Sequence, residues 1–257
     1  MSGRQVHSIV AAGLADPRLL ARWAADAGAL VNLGIAPEEF DVGALRKFAG
    51  LTTIVRHNGL RQDLPRTFRL LSAAQIEIDL FADYAVHLAD AARRLAPGAT
   101  ARAAELAEFI GHWIDPGRPA HLLIHDMVRH EVAILSLGGD AIAPSAPPGP
   151  PRTAARADAI PAVRGVLFLR DFHSDPRSAD PEPMPDRLML GYWRASATDP
   201  LLIVELDAFT YELLRRADGT VSAAKLAHAM TGAAPTRRFL AALEEVAALG
   251  IITLATP

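Results

Sequence analysis

From Gly138 to Ala159 the chain reads GGDAIAPSAPPGPPRTAARADA, and this stretch limits how the rest can be organised. Each proline removes a backbone donor and fixes φ, and each glycine loosens the chain, so neither a helix nor a central strand can run through it. The 257 residues are therefore expected as residues 1–139, a connector over 140–160, and residues 161–257. Hydrophobic residues make up 51% of the chain and aromatics 6%, which favours packed helices over a β-sandwich.

Upstream of that stretch, apolar spacing and breakers predict helices throughout. Asp16 can cap a helix opening at Pro17 and running over Arg18–Ala27. Pro37-Glu38-Glu39 suits a helix start, with acids at the positive dipole end. Val42–His57 places Leu45, Phe48, Leu51 and Val55 near helical period, and Asn58-Gly59 ends it. Leu64-Pro65 marks another first turn. Gln75–Ala96 aligns Ile76, Leu80, Tyr84, His87 and Leu88 before Pro97-Gly98, and Ala101–Ile114 and His121–Leu137 follow. The expectation is an all-α bundle of about five or six helices.

Downstream the pattern changes. Val166–Phe172, Leu188–Ala195 and Leu201–Leu206 are short runs rich in β-formers. Asp207, Val221-Ser222 and Thr236 then open helices over Ala208–Ala217, Ser222–Met230 and Thr236–Leu249, and Gly250 releases a closing strand, Ile251–Leu254. Three strands followed by three helices is the order of a small winged-helix module. The fold class expected is mainly α with a small α+β domain: an N-terminal helical bundle, then a winged-helix domain. The loop His173–Asp186, with four acids and four prolines, is expected in solvent.

Charge argues against nucleic acid as the partner. Arg and Lys against Asp and Glu number 14 to 15 over residues 1–139 and 10 to 12 over 161–257, so neither half carries a basic footprint. The absence of cysteine removes disulfides, thiolate metal sites and a Cys nucleophile. No segment carries the roughly 18 uncharged apolar residues a bilayer span needs, and the first residues lack a signal-peptide pattern, so a soluble cytoplasmic protein is expected.

The densest titratable cluster is HLLIHDMVRHE, residues 121–131. At about 100° per residue His121 and His125 share a face, but Asp126 and His130 lie across the helix, so the four cannot converge on one metal and a solvated polar face is expected. Glu131 sits among Leu123, Ile124, Met127, Val128, Ile134 and Leu135, and a carboxylate there must be paired or protonated. Arg56, Arg61 and Arg66 of RHNGLRQDLPR can reach it, and the expected pair is Glu131 with Arg56 or Arg61. Glu77, Asp79 and Asp83 read as a solvated helix face. There is no G-x-S-x-G elbow, H-E-x-x-H or phosphate-binding glycine loop, so neither a catalytic residue nor a metal site is assigned to this chain.

Two stretches carry a family resemblance. IVRHNGLRQDLPRTFRLLSAAQIEIDLFADYAVHL and LIHDMVRHEVAIL resemble the helical domain of partner proteins of multinuclear non-haem iron-dependent oxidative enzymes, the methanobactin biosynthesis partner among them. Those enzymes modify cysteines of ribosomally made peptides. The matching elements are Arg56-His57-Asn58, the run at 76–84, and Asp126 to Glu131. The resemblance implies an enzyme-docking or stapling role for Arg56, His57, Asn58, Arg61, Asp126, Arg129, His130 and Glu131. VELDAFTYELLRRADGTVSAAKLAHAM is similar to PqqD-like peptide-recognition modules, in which a leader peptide adds as a strand to the sheet. That implies a cleft between Leu201–Leu206 and Thr236–Leu249, formed by Leu201, Leu202, Ile203, Val204, Glu205 and Leu206, with Arg237 and Arg238 meeting an acidic leader.

The function implied is a non-catalytic partner subunit that holds a precursor peptide for an iron enzyme, with no cofactor in this chain and iron in the partner. The alternative is a winged-helix transcriptional regulator with a helical sensor domain. A metal hydrolase built on His121 and His125 ranks last.

Overall fold

The computed structural model describes residues 3–26, 28–36, 40–90, 98–138, 141–142 and 154–255. The protein is mainly helical with a smaller α+β part. It separates into two compact units, Met1–Val132 and Ala133–Pro257, so the final turns of the last helix of the N-terminal half belong to the second unit. The expected helix start at Pro37-Glu38-Glu39, residues 91–97 and most of the expected connector lie outside the described residues. Of that connector, Ala141–Ile142 forms a short strand and residues 154–159 are described as turn and coil.

The first unit contains α1 (Gly3–Ala15), α2 (Pro17–Ala25), α3 (Gly28–Val31), α4 (Val42–Arg56), α5 (Asn58–Asp63), α6 (Pro65–Ala73), α7 (Glu77–Asp90) and α8 (Ala99–Trp113), with α9 (Pro119–Leu137) entering it from its N-terminal end. Caps set several starts: Asp16 accepts from the Arg18 N–H, and Asp41 from the Ala44 N–H. α1 was not anticipated. Its Gly13 passes so close to α2 that a Cβ there would stand 2.8 Å from the Trp23 ring. Phe68, Phe81, Tyr84 and Phe109 form a stacked and edge-on aromatic core.

α4 forms where expected but buries a different face. Its buried residues are Leu45, Ala49, Gly50 and Thr53, while Phe48, Leu51 and Val55 are exposed. The reason is the closeness of α7: a Cβ on Gly50 would lie 2.3 Å from the Ile78 carbonyl oxygen. A helix pair this tight needs small residues at the crossing, so the bulky ones are turned out. Asp83 is not on a solvated face either. It accepts from Arg46 of α4 at 2.6 Å and from the Trp113 indole of α8 at 2.9 Å, tying three helices.

The second unit holds a four-stranded sheet of order β1-β5-β4-β3, from β1 (Ala141–Ile142), β3 (Val166–Ser174), β4 (Pro183–Arg194) and β5 (Leu201–Leu206). β3, β4 and β5, the three expected strands, pair as an antiparallel meander. β2 (Ile160–Val163) was not anticipated and pairs antiparallel with β6 (Ile252–Ala255). Helices α10 (Ala208–Arg216), α11 (Ala223–Thr231) and α12 (Arg237–Ala248) are capped as expected by Asp207, Ser222 and Thr236. Alternation sorts the sheet: Trp193 and Leu202, with Leu167, Leu169, Val204 and Leu206, face the three helices. Phe172, Leu188, Leu190, Tyr192 and Leu201 face Ala133 and Leu137 at the end of α9. Arg194 donates to the carbonyls of Leu137, Gly138, Ala197 and Asp199, satisfying the last carbonyls of α9.

Gly50→Val should lower stability by about 3 kcal/mol, because backbone rather than a movable side chain blocks the new methyls. Urea unfolding midpoints of the two proteins measure this.

Candidate functional site

α6 opens on two residues that cannot cap it. Leu64 has no acceptor side chain, and Pro65 contributes no N–H. The N–H groups of Arg66 and Thr67 are satisfied from another helix. Glu131 of α9 accepts from the Arg66 N–H at 2.9 Å through Oε1, and from the Thr67 N–H at 2.8 Å and the Thr67 hydroxyl at 2.7 Å through Oε2. A carboxylate at a helix N-terminus also meets the positive end of the dipole.

The expected pairing of Glu131 with Arg56 or Arg61 is therefore corrected. The Arg61 guanidinium binds Glu77 and lies 5.1 Å from the Phe68 ring centre, and Arg56 is exposed. Three donors on a rigid helix start satisfy the carboxylate without ordering a long arginine side chain. Glu77, also expected in solvent, is buried and additionally accepts from the Ser72 hydroxyl at 2.5 Å.

The solvated face expected of the His and Asp residues of HLLIHDMVRHE is likewise overturned, since His121, Asp126 and His130 are buried; Glu131 is buried as expected. α9 is a central helix here, enclosed on more than one side, which a single helical wheel cannot reveal. His121 stacks on Trp113 at 5.7 Å, and its Nδ1 accepts from the Asp115 N–H at 2.9 Å. The ring proton then sits on Nε2, which is buried and has no hydrogen-bond partner among the described residues. Burial, then the positive charge of Arg118, pulls the His121 pKa down against Asp115. His57 is also buried, edge-on to Tyr84 at 5.5 Å, and its pKa is lowered by burial first, then by Arg102 and Arg56 against Glu105. Among the described residues no group of three His, Asp or Glu could hold a metal ion. Of the expected docking residues, His57, Asp126, His130 and Glu131 are thus core, Arg129 is half-buried, and only Arg56, Asn58 and Arg61 are exposed.

In the second unit, the expected peptide edge is partly taken by the chain itself. β1 runs parallel to β5, Ala141 opposite Leu201 and Ile142 opposite Leu202. Beyond them, Ile203 to Leu206 carry no further strand on that side among the described residues. Leu201 and Leu202 are buried in opposite cores, so only their backbone belongs to an edge. Glu205 is exposed and bound by Arg177 at 3.0 Å, which also holds Asp175 at 2.9 Å, so the β3–β4 connection is tied to β5. On α12, Glu244 accepts from the Ala155 N–H at 2.9 Å, placing the chain's own segment along that flank of the expected cleft. Arg238 lines a cavity of about 380 Å³ with Phe209, Ala227, Thr231, Thr236 and Phe239. The hydrogen bond from the Thr210 N–H holds the Asp207 carboxyl, just after β5, below the ordinary range, and the charge of Arg238 adds a smaller contribution. Arg237 is exposed beside it. A second cavity, about 530 Å³, lies between Val166, Leu167 and Leu169 of β3 and Leu214 and Arg215 of α10. Sequence reading missed it, because neither element alone shows a concavity.

No protein-family model matches the chain, and no curated protein matches it.

Glu131→Ala strands two backbone donors and a hydroxyl, and should cost about 3 kcal/mol in urea unfolding; Glu131→Gln, keeping one acceptor oxygen, should cost about half that. The two histidines set a pH dependence. Above 6.5, their unperturbed value, both are neutral whether folded or not; below it the unfolded chain binds protons that the buried rings resist, so stability falls as pH drops. The urea midpoint should be lower at about pH 5.5 than at about pH 7.5, and His57→Leu should shrink the difference.

Proposed function

We propose that this chain is a non-catalytic partner subunit that holds a ribosomally made precursor peptide for a multinuclear non-haem iron oxidative enzyme. The second unit, a winged-helix module similar to PqqD-like readers, takes the peptide as an added strand. The first unit docks on the enzyme. The iron and the chemistry belong to that enzyme, and this subunit acts by proximity, making a weak encounter nearly unimolecular.

The observation that carries this reading is β5. Its outer edge already takes an extended strand at Leu201 and Leu202, and it continues open over Ile203 to Leu206 among the described residues. That stretch ends at Asp207, next to the cavity lined by Phe209, Phe239 and Arg238. Backbone hydrogen bonds supply affinity in such a mode, and a neighbouring pocket with a cation supplies preference for an apolar residue next to an acidic one. Duplex DNA fits less well. Arg215 and Arg216 share the single carboxylate of Glu212, which offsets one of their two charges, and residues 161–257 carry more acids than bases.

The test is co-expression with an iron-dependent oxidative enzyme encoded in the same gene cluster and its Cys-bearing precursor. The three should co-elute, and modification should depend on this chain. Arg238→Glu should weaken binding of an acidic leader about tenfold by fluorescence anisotropy. Modification that proceeds equally well without the chain would falsify the proposal.

A further inference from the structure

We infer that the exposed face of α4 is a docking surface for an amphipathic helix of a partner protein with an apolar stripe and an acidic rim. Phe48, Leu51 and Val55 are 53%, 47% and 72% exposed in the full chain. Their spacing of three and four residues aligns them along one side of the helix. The opposite side is locked to α7 at Gly50, so α4 cannot roll to bury them. Three large apolar side chains in a row on a rigid helix are a contiguous patch rather than scattered surface residues.

Charge identifies the occupant. The sequence of α4, VGALRKFAGLTTIVR, contains no acidic residue. Arg46 is neutralised by Asp83, whereas Lys47 and Arg56 are exposed and make no ion pair among the described residues. At about 100° per residue these two cations lie roughly 90° to either side of the stripe, so they flank it. A second copy of this chain would bring Lys47 and Arg56 against their own counterparts across a two-fold axis, which like charges oppose. An anionic membrane is disfavoured because two cations contribute only about 2 kcal/mol of surface attraction. A helix with acidic flanks satisfies both the stripe and its rim. The surface also adjoins Arg56 and Asn58, two of the three exposed members of the set expected to dock, whereas His57, Asp126, His130 and Glu131 lie in the core. This inference rests on the reading of the first unit as the part that docks on a partner, and it names the place.

The probe is a synthetic helical peptide of about 18 residues with a leucine stripe flanked by glutamates, and its control carries lysines in their place. Fluorescence anisotropy should show the glutamate peptide binding in a salt-sensitive manner and the lysine peptide not. Phe48→Ser/Val55→Ser should weaken binding at least about tenfold. Lys47→Glu/Arg56→Glu should reverse the preference. All four side chains face solvent, so circular dichroism should show both variants folded. Equal binding of the two peptides, or unchanged binding by the serine variant, would overturn the inference. So would a dimer in sedimentation, or flotation on phosphatidylserine vesicles, that the serine variant abolishes. If the peptide fails to bind while modification in the co-expression assay still requires this chain, docking lies elsewhere and the functional proposal stands.

Discussion

The first unit depends on one carboxylate. α6 begins with a leucine and a proline, so it has no side-chain cap of its own, and its first free N–H groups face the interior. Glu131 fills that need from α9, sixty-odd residues along the chain, through three hydrogen bonds of 2.7 to 2.9 Å. Burial of a lone carboxylate costs several kcal/mol, and burial of uncapped helix donors costs about as much; placed together, each removes the other's penalty. The contact is directional, and so sets the register of α9 against α6 in a way that apolar packing does not.

The same economy governs other buried polar groups of that unit. Asp83 serves an arginine and an indole, Glu77 serves Arg61 and Ser72, and His121 serves a backbone N–H. Each of these groups has a structural partner within the unit, and only the Nε2 of His121 is left without one among the described residues. The polar run of α9 is therefore the internal frame of a helical unit. The surfaces we propose for interaction with other molecules are the exposed stripe of α4 and, in the second unit, the sheet edge and the cavity beside it.

The second unit is organised by a sheet with two buried faces. Alternate residues of β5 go to different cores, so its apolar side chains are committed to the interior and its backbone edge is the part our proposal assigns to a guest. The chain's own β1 pairs with one end of that edge, and the Ala155 N–H donates to Glu244 of α12. Arg194 meanwhile donates to the carbonyls of Leu137 and Gly138 at the end of α9, acceptors that the helix itself leaves without donors.

Local chemistry determined much of this protein in advance. Asp16, Asp207, Ser222 and Thr236 cap helices because their side chains reach nearby N–H groups, and the β-rich runs at 166, 188 and 201 are too short for anything but strands. These features need only a few neighbouring residues, so they are legible without the fold. The inward face of α4, the partner of Glu131, the burial of His121 and Asp126, the pairing of β1 and β2, and both cavities were not legible. Hydrophobic periodicity ranks residues by size and polarity, whereas the α4–α7 crossing selects for smallness. The choice between Arg61 and a helix terminus as the partner of Glu131 depends on where helices distant in sequence meet. Only tertiary packing sets those distances, because no local interaction measures them.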